Sequence, residues 1–191
     1  MNPIVIRSGG AADMDSVLTM LDKAVAWLTA HGRTGQWGGN PFSSDPARRE
    51  QISSFLERHM VRIAEMEGRP VGVCTLAAET PHYVNPAPEA ELYIHLLVTD
   101  REFRGVGIGG LLCADAVAQA QYRGIHLVRV DCYGGDDRAL VRQYERLGFT
   151  ATRRFTVERE NMPPWPGQIL EKRVPETGVE DVHARDCTLA D

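Results

Sequence analysis

The sequence predicts one mixed α/β (α+β) domain built on a central sheet of about seven strands. Its 191 residues suit a single domain. Short apolar runs of β type alternate with stretches whose apolar residues recur every three or four positions, which is the helical pattern. A long apolar helix lies between two buried strands, 90–98 and 127–133, and a helical crossover of this kind makes the two strands parallel.

Each element rests on a local signal. Apolar residues spaced by three and four from Met14 to Leu28 predict a helix, and His31-Gly32 ends it as a C-terminal glycine does. Residues 80–88 contain three prolines, which predicts an irregular segment. The predicted order is strand 4–6, helix 14–28, helix 47–59, strands 61–65, 71–77 and 90–98, helix 107–121, strand 127–133, helix 140–147, and strands 149–158 and 167–174 around a proline-rich loop at 161–166.

Charge and hydropathy exclude several classes of protein. The net charge of −5 argues against a general nucleic-acid binder, whose surface would be basic. Part of that charge falls in residues 175–191, which we expect to form a disordered acidic tail behind a domain at 1–174. No apolar run reaches the ~18 residues of a membrane span. We therefore expect a cytoplasmic protein with no nucleic-acid or membrane partner.

The cysteines indicate a reducing compartment. None of them forms a Cys-x-x-Cys pair, which argues against a zinc site or a disulfide framework. The first three of them lie in apolar runs, so we expect buried thiols. The four cysteines are Cys74, Cys113, Cys132 and Cys187.

A cluster of glycines follows the buried strand that ends at Val98. The chain passes through a charged turn and reaches Gly105, Gly107 and Gly110 at the start of the next helix. Free N–H groups and the helix dipole at such a start bind anions, above all a pyrophosphate, and Arg104 adds a positive charge. The glycines could instead serve only to let the helix pack closely on the sheet.

The same glycines raise a second hypothesis, a dinucleotide-binding oxidoreductase. They fit the pattern Gly-x-Gly-x-x-Gly, and Asp131 lies near the end of the next strand. Six residues separate Val98 from Gly105, however, whereas the first glycine of a dinucleotide site follows its strand almost at once. A P-loop is excluded, because no Gly-Lys-Ser/Thr follows the glycines.

Two segments carry a family resemblance. Arg104-x-x-Gly107-x-Gly109, behind the strand end Leu96–Val98 and ahead of an apolar helix, resembles the acetyl-CoA signature of the GNAT N-acetyltransferase superfamily. The second segment supports this resemblance.

That second segment runs from Asp137 through Tyr144-Glu-Arg-Leu to Gly148-Phe149 and is similar to the later motif of the same superfamily. The chain departs from the motif at one position, where the usual asparagine is replaced by Asp136-Asp137. A carboxylate there would stand in for a neutral amide near the coenzyme A arm.

The resemblance implies where acetyl-CoA, the cosubstrate, would bind. The strands 90–98 and 127–133 would splay apart, so that main-chain groups on the first strand bond pantetheine. Backbone amides from Gly105 to Gly110 would hold the pyrophosphate, and no metal is implied. The implied cofactor site comprises Leu96, Leu97, Val98, Arg104, Gly105, Val106, Gly107, Ile108, Gly109, Gly110 and Asp137.

The resemblance also implies the reaction, in which a primary amine of a small molecule or peptide attacks acetyl-CoA directly in a ternary complex. Tyr144 matches the residue that assists the leaving thiolate. Tyr144 also lies on the apolar stripe of Leu140 and Leu147, so it could be an ordinary core residue.

Three residues are candidates for the base that removes the amine's proton. Glu91 and His95 share one face of their strand because residues four apart agree in a period of two. Glu91 fits the position of a glutamate that serves as base in some members of the family, and His95 has a suitable ordinary pKa near ~6.5. Asp131 is the third candidate, and a relay of water molecules is the alternative to all three.

The loop that contains Gln36 and Trp37 is expected to shape the acceptor pocket, again by the resemblance. Trp37 could cover an apolar or cationic substrate, or it could fasten the loop to the core. We expect a monomer or homodimer. Besides the enzyme and the oxidoreductase, the substitution at Asp136-Asp137 leaves open a catalytically inactive sensor of acetyl-CoA.

Overall fold

The structure is a computed structural model that describes residues 3–135, 137–159 and 162–175. Asp136, Asn161, Cys187 and the acidic segment beyond residue 175 lie outside the described residues. The helices and strands, in chain order, are β1 (Ile4–Ser8), α1 (Met14–Ala30), α2 (Pro46–Arg58), β2 (Met60–Met66), β3 (Arg69–Ala77), β4 (Leu92–Thr99), α3 (Ile108–Tyr122), β5 (Leu127–Tyr133), α4 (Ala139–Arg146), β6 (Thr150–Arg159) and β7 (Met162–Arg173). The order of elements matches the order that the sequence predicts.

The strands form a seven-stranded mixed sheet in the order β1-β2-β3-β4-β5-β7-β6. Every neighbouring pair is antiparallel except β4 and β5, which are parallel. The parallel pairing covers only three positions, from Leu92↔Val128 to Ile94↔Val130. Beyond Ile94 the two strands diverge, which confirms the predicted splay.

Helices cover both faces of the sheet because apolar residues alternate along the strands. One face carries α3 and α4, and its core includes Leu92, Ile94, Val130 and Cys132. The other face carries α1 and α2 over β2, β3 and the second half of β4. The diverging ends of β4 and β5 therefore lie between two separate cores.

The proline-rich segment is the main difference from the predicted elements. Residues 162–166 were expected to form a loop, but β7 already begins at Met162 and pairs there with β6. Its pairing with β5 begins only at Gly167, so this stretch has a partner strand on one side alone. Proline lacks an N–H and is tolerated in such an edge position.

Two further expectations concern the cysteines and membrane-spanning helices. Cys74, Cys113 and Cys132 are buried free thiols, as predicted. Among the described helices, none has the length and hydropathy needed to cross a membrane.

Candidate active site

The divergence of β4 from β5 opens a cleft in the sheet. On one edge, Leu96 and Val98 pair with Thr75 and Val73 of β3. On the edge that faces β5, the described strands give them no partner, because the β4–β5 pairing ends at Ile94. An unpaired strand edge presents free N–H and C=O groups, so the segment that was expected to bond pantetheine does present its main chain to the cleft.

A glycine turn lies at the end of the cleft, where β4 leads into α3. Gly105 and Gly107 have φ values of +82° and +88°, a conformation that only glycine adopts readily. A Cβ atom added at either glycine would meet nothing within 4 Å, so the surface of the turn is open. Within the described chain, no acceptor is found for the N–H groups of residues 107–110. Four free donors and a helix dipole in one place suit an anion, and the binding of a pyrophosphate here stays a prediction.

Asp100 holds this turn in place, and sequence reasoning missed it. The carboxylate is 3% exposed and accepts hydrogen bonds from the N–H of Glu102, from Lys23 at 3.1 Å and from Arg69 at 2.7 Å. Burial alone would raise the pKa of Asp100, but these hydrogen bonds hold it below its ordinary value. An aspartate directly after a buried strand is the signal that could have identified this anchor.

The other residues of the turn are exposed. Val106 is 41% exposed. Arg104 lies in the same exposed stretch and forms no ion pair with any described residue. Its guanidinium therefore stays available to an anion at the turn.

Asp137 has partners of its own at the start of α4. One oxygen lies 2.7 Å from Nη2 of Arg33, and the other accepts a hydrogen bond from the N–H of Ala139. The carboxylate that replaces the usual asparagine is thus neutralised by a cation and stabilises the first turn of α4.

Tyr144 lies in the core between α4 and the sheet. Its side chain is 7% exposed and meets Phe149 edge-on at 5.6 Å. No described residue forms a hydrogen bond with its hydroxyl. Burial raises the pKa of Tyr144 well above its ordinary value, so the hydroxyl keeps its proton and can only act as a neutral hydrogen-bond donor or acceptor.

Glu91 forms a buried ion pair. Its Oε2 lies 2.8 Å from Nη1 of Arg129, and its Oε1 accepts a hydrogen bond from the N–H of Ala87 at 2.7 Å. Arg129 in turn donates to the carbonyl of Asn85. Both oxygens of Glu91 therefore hold segment 78–91 against β5, and its role as base stays a prediction.

His95 is the extra residue of a β-bulge in β4, since pairing with β3 passes from Ile94 directly to Leu96. Its Nε2 lies 2.7 Å from the carbonyl of Glu79. A carbonyl only accepts, so Nε2 is the protonated nitrogen and Nδ1 is left with its lone pair. The His59 ring lies 4.4 Å away. Burial lowers the pKa of both rings, that of His59 to about 4.

Asp131 directly follows Val130, the last residue of β5 that pairs with β4. Its Oδ1 accepts a hydrogen bond from the hydroxyl of Tyr93 at 2.7 Å, and Tyr83 reaches Oδ2 at 3.5 Å. Within the described chain Asp131 forms no ion pair. Burial raises the pKa of this carboxyl, although the hydrogen bond from Tyr93 opposes the shift. The two tyrosines had no signal in the sequence, because they come from a loop and from a different strand.

Gln36 and Trp37 lie in the loop after α1. The carbonyl of Gln36 accepts a hydrogen bond from Nε1 of Trp165 at 3.0 Å, which ties this loop to β7. Trp37 meets the ring of Phe42 edge-on at 5.6 Å and packs against the core beneath α1 and α2. These contacts are those of a residue that fastens the loop to the core; a contact of Trp37 with substrate stays a prediction.

The fold of this chain is similar to the folds of several solved acetyltransferases. An N-acetyltransferase from Staphylococcus aureus Mu50 has a TM-score of 0.64 at 15% identity, over 91% of this chain and 99% of that one. A Salmonella typhimurium protein solved with its cofactor acetyl-CoA has a TM-score of 0.62 at 17% identity, over 95% and 99%. The polyamine N-acetyltransferase of Drosophila melanogaster has a TM-score of 0.65 at 19% identity, over 90% and 100%.

Sequence comparison identifies the family. An uncharacterized N-acetyltransferase of Methanocaldococcus jannaschii is 32% identical over 87 residues, which are 46% of this chain and 37% of that protein. The chain thus matches well under half the length of this curated relative. The model of the Acetyltransferase (GNAT) family matches residues 22–149, more than half of the chain. The protein therefore belongs to the GNAT acetyltransferase family.

Proposed function

We propose that this protein transfers an acetyl group from acetyl-CoA to a primary amine of a small molecule or peptide. One observation carries the proposal: the unpaired edge of β4 at Leu96–Val98 leads directly into the open glycine turn at residues 105–110. An edge of free main-chain groups suits the amides of a pantetheine arm. A turn of four free N–H donors suits a pyrophosphate.

The residues present fit this cosubstrate. Acetyl-CoA supplies a thioester, whose carbonyl is the group that an amine attacks. A free N–H on the open edge of β4 would donate a hydrogen bond to the carbonyl oxygen, where negative charge develops. A donor in this position contributes on the order of 10²–10³ in rate. Arg104 and the N–H groups of residues 107–110 would bind the phosphates.

Tyr144 would assist the departing thiolate. Its buried hydroxyl keeps its proton because burial raises its pKa, and it has no hydrogen-bond partner among the described residues. A thiolate with a parent thiol pKa near ~8.5 would not remove the proton from this phenol. The role that fits is therefore donation of a hydrogen bond.

Removal of the amine's proton falls to Asp131 or His95, directly or through water. Both oxygens of Glu91 are engaged by Arg129 and Ala87, which leaves Glu91 the weakest of the three candidates. Asp131 lacks a counter-ion in the described chain. His95 keeps Nδ1 as a free acceptor.

The test is release of free thiol from acetyl-CoA in the presence of a panel of primary amines, with mass spectrometry of the acetylated product. Binding is measured separately, as the shift in melting temperature with acetyl-CoA, coenzyme A or NADH. Stabilisation by acetyl-CoA together with thiol release supports the proposal. Stabilisation without thiol release for any amine indicates the acetyl-CoA sensor instead. Stabilisation by NADH alone indicates the oxidoreductase and overturns the proposal.

A further inference from the structure

We propose that Asp131, together with the hydroxyls of Tyr93 and Tyr83, binds the ammonium group of the acceptor, and that this site selects amines with an apolar or aromatic body and no carboxylate beside the amine. The inference rests on the proposed function, because it names the class of acceptor for the same cleft.

The first argument is the missing counter-ion. Asp131 is partly buried, and a carboxylate removed from water needs a cation or several strong donors. Its hydrogen-bond partners among the described residues are two neutral phenols, one at 2.7 Å and one at 3.5 Å. His95 also interacts electrostatically with Asp131, but burial lowers the pKa of His95, so this ring does not serve as a permanent cation. Of the cationic side chains near this part of β5, Arg129 is committed to Glu91 at 2.8 Å and Glu171 at 3.3 Å. A cationic ligand would therefore complete the site.

The second argument is the aromatic surface beside Asp131. Tyr83 stacks on Phe155 at 5.7 Å, and Phe155 lies 6.0 Å from Trp165. Trp165 also lies 6.0 Å from Tyr133. Aromatic faces attract cations by their quadrupole and bury apolar groups at the same time, so this surface suits the carbon body of an amine.

The third argument is that the site is already formed. Segment 78–91 is irregular, yet Val84 is 4% exposed and packs with Tyr93 and Ile169. The buried pair of Glu91 and Arg129 holds the same segment from its other end. Tyr83 is thereby presented to Asp131 before any ligand arrives. A site that is ordered beforehand loses less entropy when it binds.

The fourth argument concerns selectivity. A carboxylate next to the amine would approach Asp131 and be repelled. Arg129, whose guanidinium lies 5.9 Å from the Tyr93 ring, already forms ion pairs with Glu91 and Glu171. The described structure also has a cavity of about 420 Å³ whose lining includes two cationic side chains, Arg138 and Arg154. An acceptor with a carboxylate would need to reach that cavity, which makes it the competing outcome of the test.

The probes are three molecules with one carbon body: phenethylamine, phenylalanine and 2-phenylethanol. Phenethylamine and phenylalanine differ by the carboxylate, and 2-phenylethanol replaces the ammonium by a neutral hydroxyl. Their affinities for the full chain are measured by calorimetry with coenzyme A present, so that no transfer is required. Steady-state kinetics with acetyl-CoA then give KM and kcat for the two amines.

We expect phenethylamine to bind at least tenfold more tightly than phenylalanine or 2-phenylethanol. Asp131→Asn should weaken phenethylamine binding at least tenfold and reduce the ratio of the affinities for phenethylamine and phenylalanine. The affinity for acetyl-CoA should stay unchanged. Tyr83→Ala should weaken phenethylamine binding more than Tyr83→Phe does, since the ring is lost as well as the hydroxyl. Asp15→Asn, at an exposed aspartate of α1, is the matched control and should change none of these affinities.

Equal or tighter binding of phenylalanine would overturn the inference and point to the Arg138–Arg154 cavity. Unchanged phenethylamine affinity in Asp131→Asn would also overturn it. Failure of the proposed function is seen separately, as absence of thiol release while the binding data stand. If acetyl transfer to amines does not depend on Asp131, the proposed acetyltransferase function stands and the acceptor site at Asp131 is refuted.

Discussion

Oε2 of Glu91 lies 2.8 Å from Nη1 of Arg129, with both side chains buried and the irregular segment 78–91 bonded to each of them. Tyr83 lies in segment 78–91, and Asp131 lies in β5. The ion pair thus connects this segment to this strand. Glu91, which the family resemblance makes a candidate base, therefore fixes one wall of the cleft through this pair.

Glu91→Gln tests this relationship. Removing one partner of a buried pair leaves the other charge without compensation, which costs about 3–5 kcal/mol. We expect a loss near the lower end of that range, because Glu171 still lies 3.3 Å from Arg129. Chemical denaturation measures the loss, and kcat of the folded protein should fall by less than about tenfold, against the ~10²-fold or more expected for a lost base.

The matched variant is Glu91→Leu combined with Arg129→Met, which removes both charges and keeps apolar volume. It should recover much of the stability lost in Glu91→Gln, since a buried pair replaced by apolar side chains is often neutral. A large fall in kcat with unchanged stability in Glu91→Gln would return Glu91 to the role of base.

Gly107→Ala tests the phosphate turn. Gly107 has φ +88° and open space where a Cβ would stand, so the substitution costs about 1–2 kcal/mol of backbone strain without a clash. The added methyl group would occupy the approach of the pyrophosphate, and we expect acetyl-CoA affinity, measured by calorimetry, to fall at least tenfold. Gly124→Ala is the control: it has φ +66° and equally open surroundings at the other end of α3. If both variants bind acetyl-CoA like the parent, the phosphates bind elsewhere.

Tyr144→Phe tests assistance to the leaving thiolate. The ring and its contact with Phe149 are kept, and the hydroxyl has no described partner to lose, so stability should change by no more than about 1 kcal/mol. We expect kcat to fall by about 10²-fold while acetyl-CoA affinity is retained. An acyl donor with a more acidic thiol should reduce the defect. The control is Tyr122→Phe, at a ring on α3 that is 88% exposed. If Tyr144→Phe keeps the kcat of the parent, Tyr144 is a core residue only.

His59 should make stability depend on pH. Burial lowers its pKa from 6.5 to about 4, so the unfolded chain binds more protons than the folded chain between these values, and stability is lost as the pH falls through that window. His59→Phe keeps an aromatic ring against Phe55 and cannot titrate. The urea midpoint of the variant, relative to that of the parent, should therefore rise as the pH is lowered from 7 to 4. If the difference between the two urea midpoints does not change with pH, the lowered pKa of His59 is contradicted.

The sequence by itself determined the elements and the glycine turn at the end of the cleft. Apolar spacing located α1 and α3, and β5 was predicted over the same residues that the structure assigns to it. The glycines after Val98 located the open turn before α3. These signals are local, because periodicity, prolines and glycines act within a few residues of the chain. The proline-rich start of β7 was missed for the same reason, since what permits it is the absence of a second partner strand.

Only the tertiary structure decided how the candidate bases differ. Glu91, His95 and Asp131 are equivalent in the sequence as titratable residues on neighbouring strands. Their distinct states depend on partners far along the chain: Arg129 beside Glu91, Glu79 and His59 beside His95, and Tyr83 and Tyr93 beside Asp131. A side chain's charge state is set by burial and by the groups within a few ångströms, and those neighbours exist only after the sheet has formed.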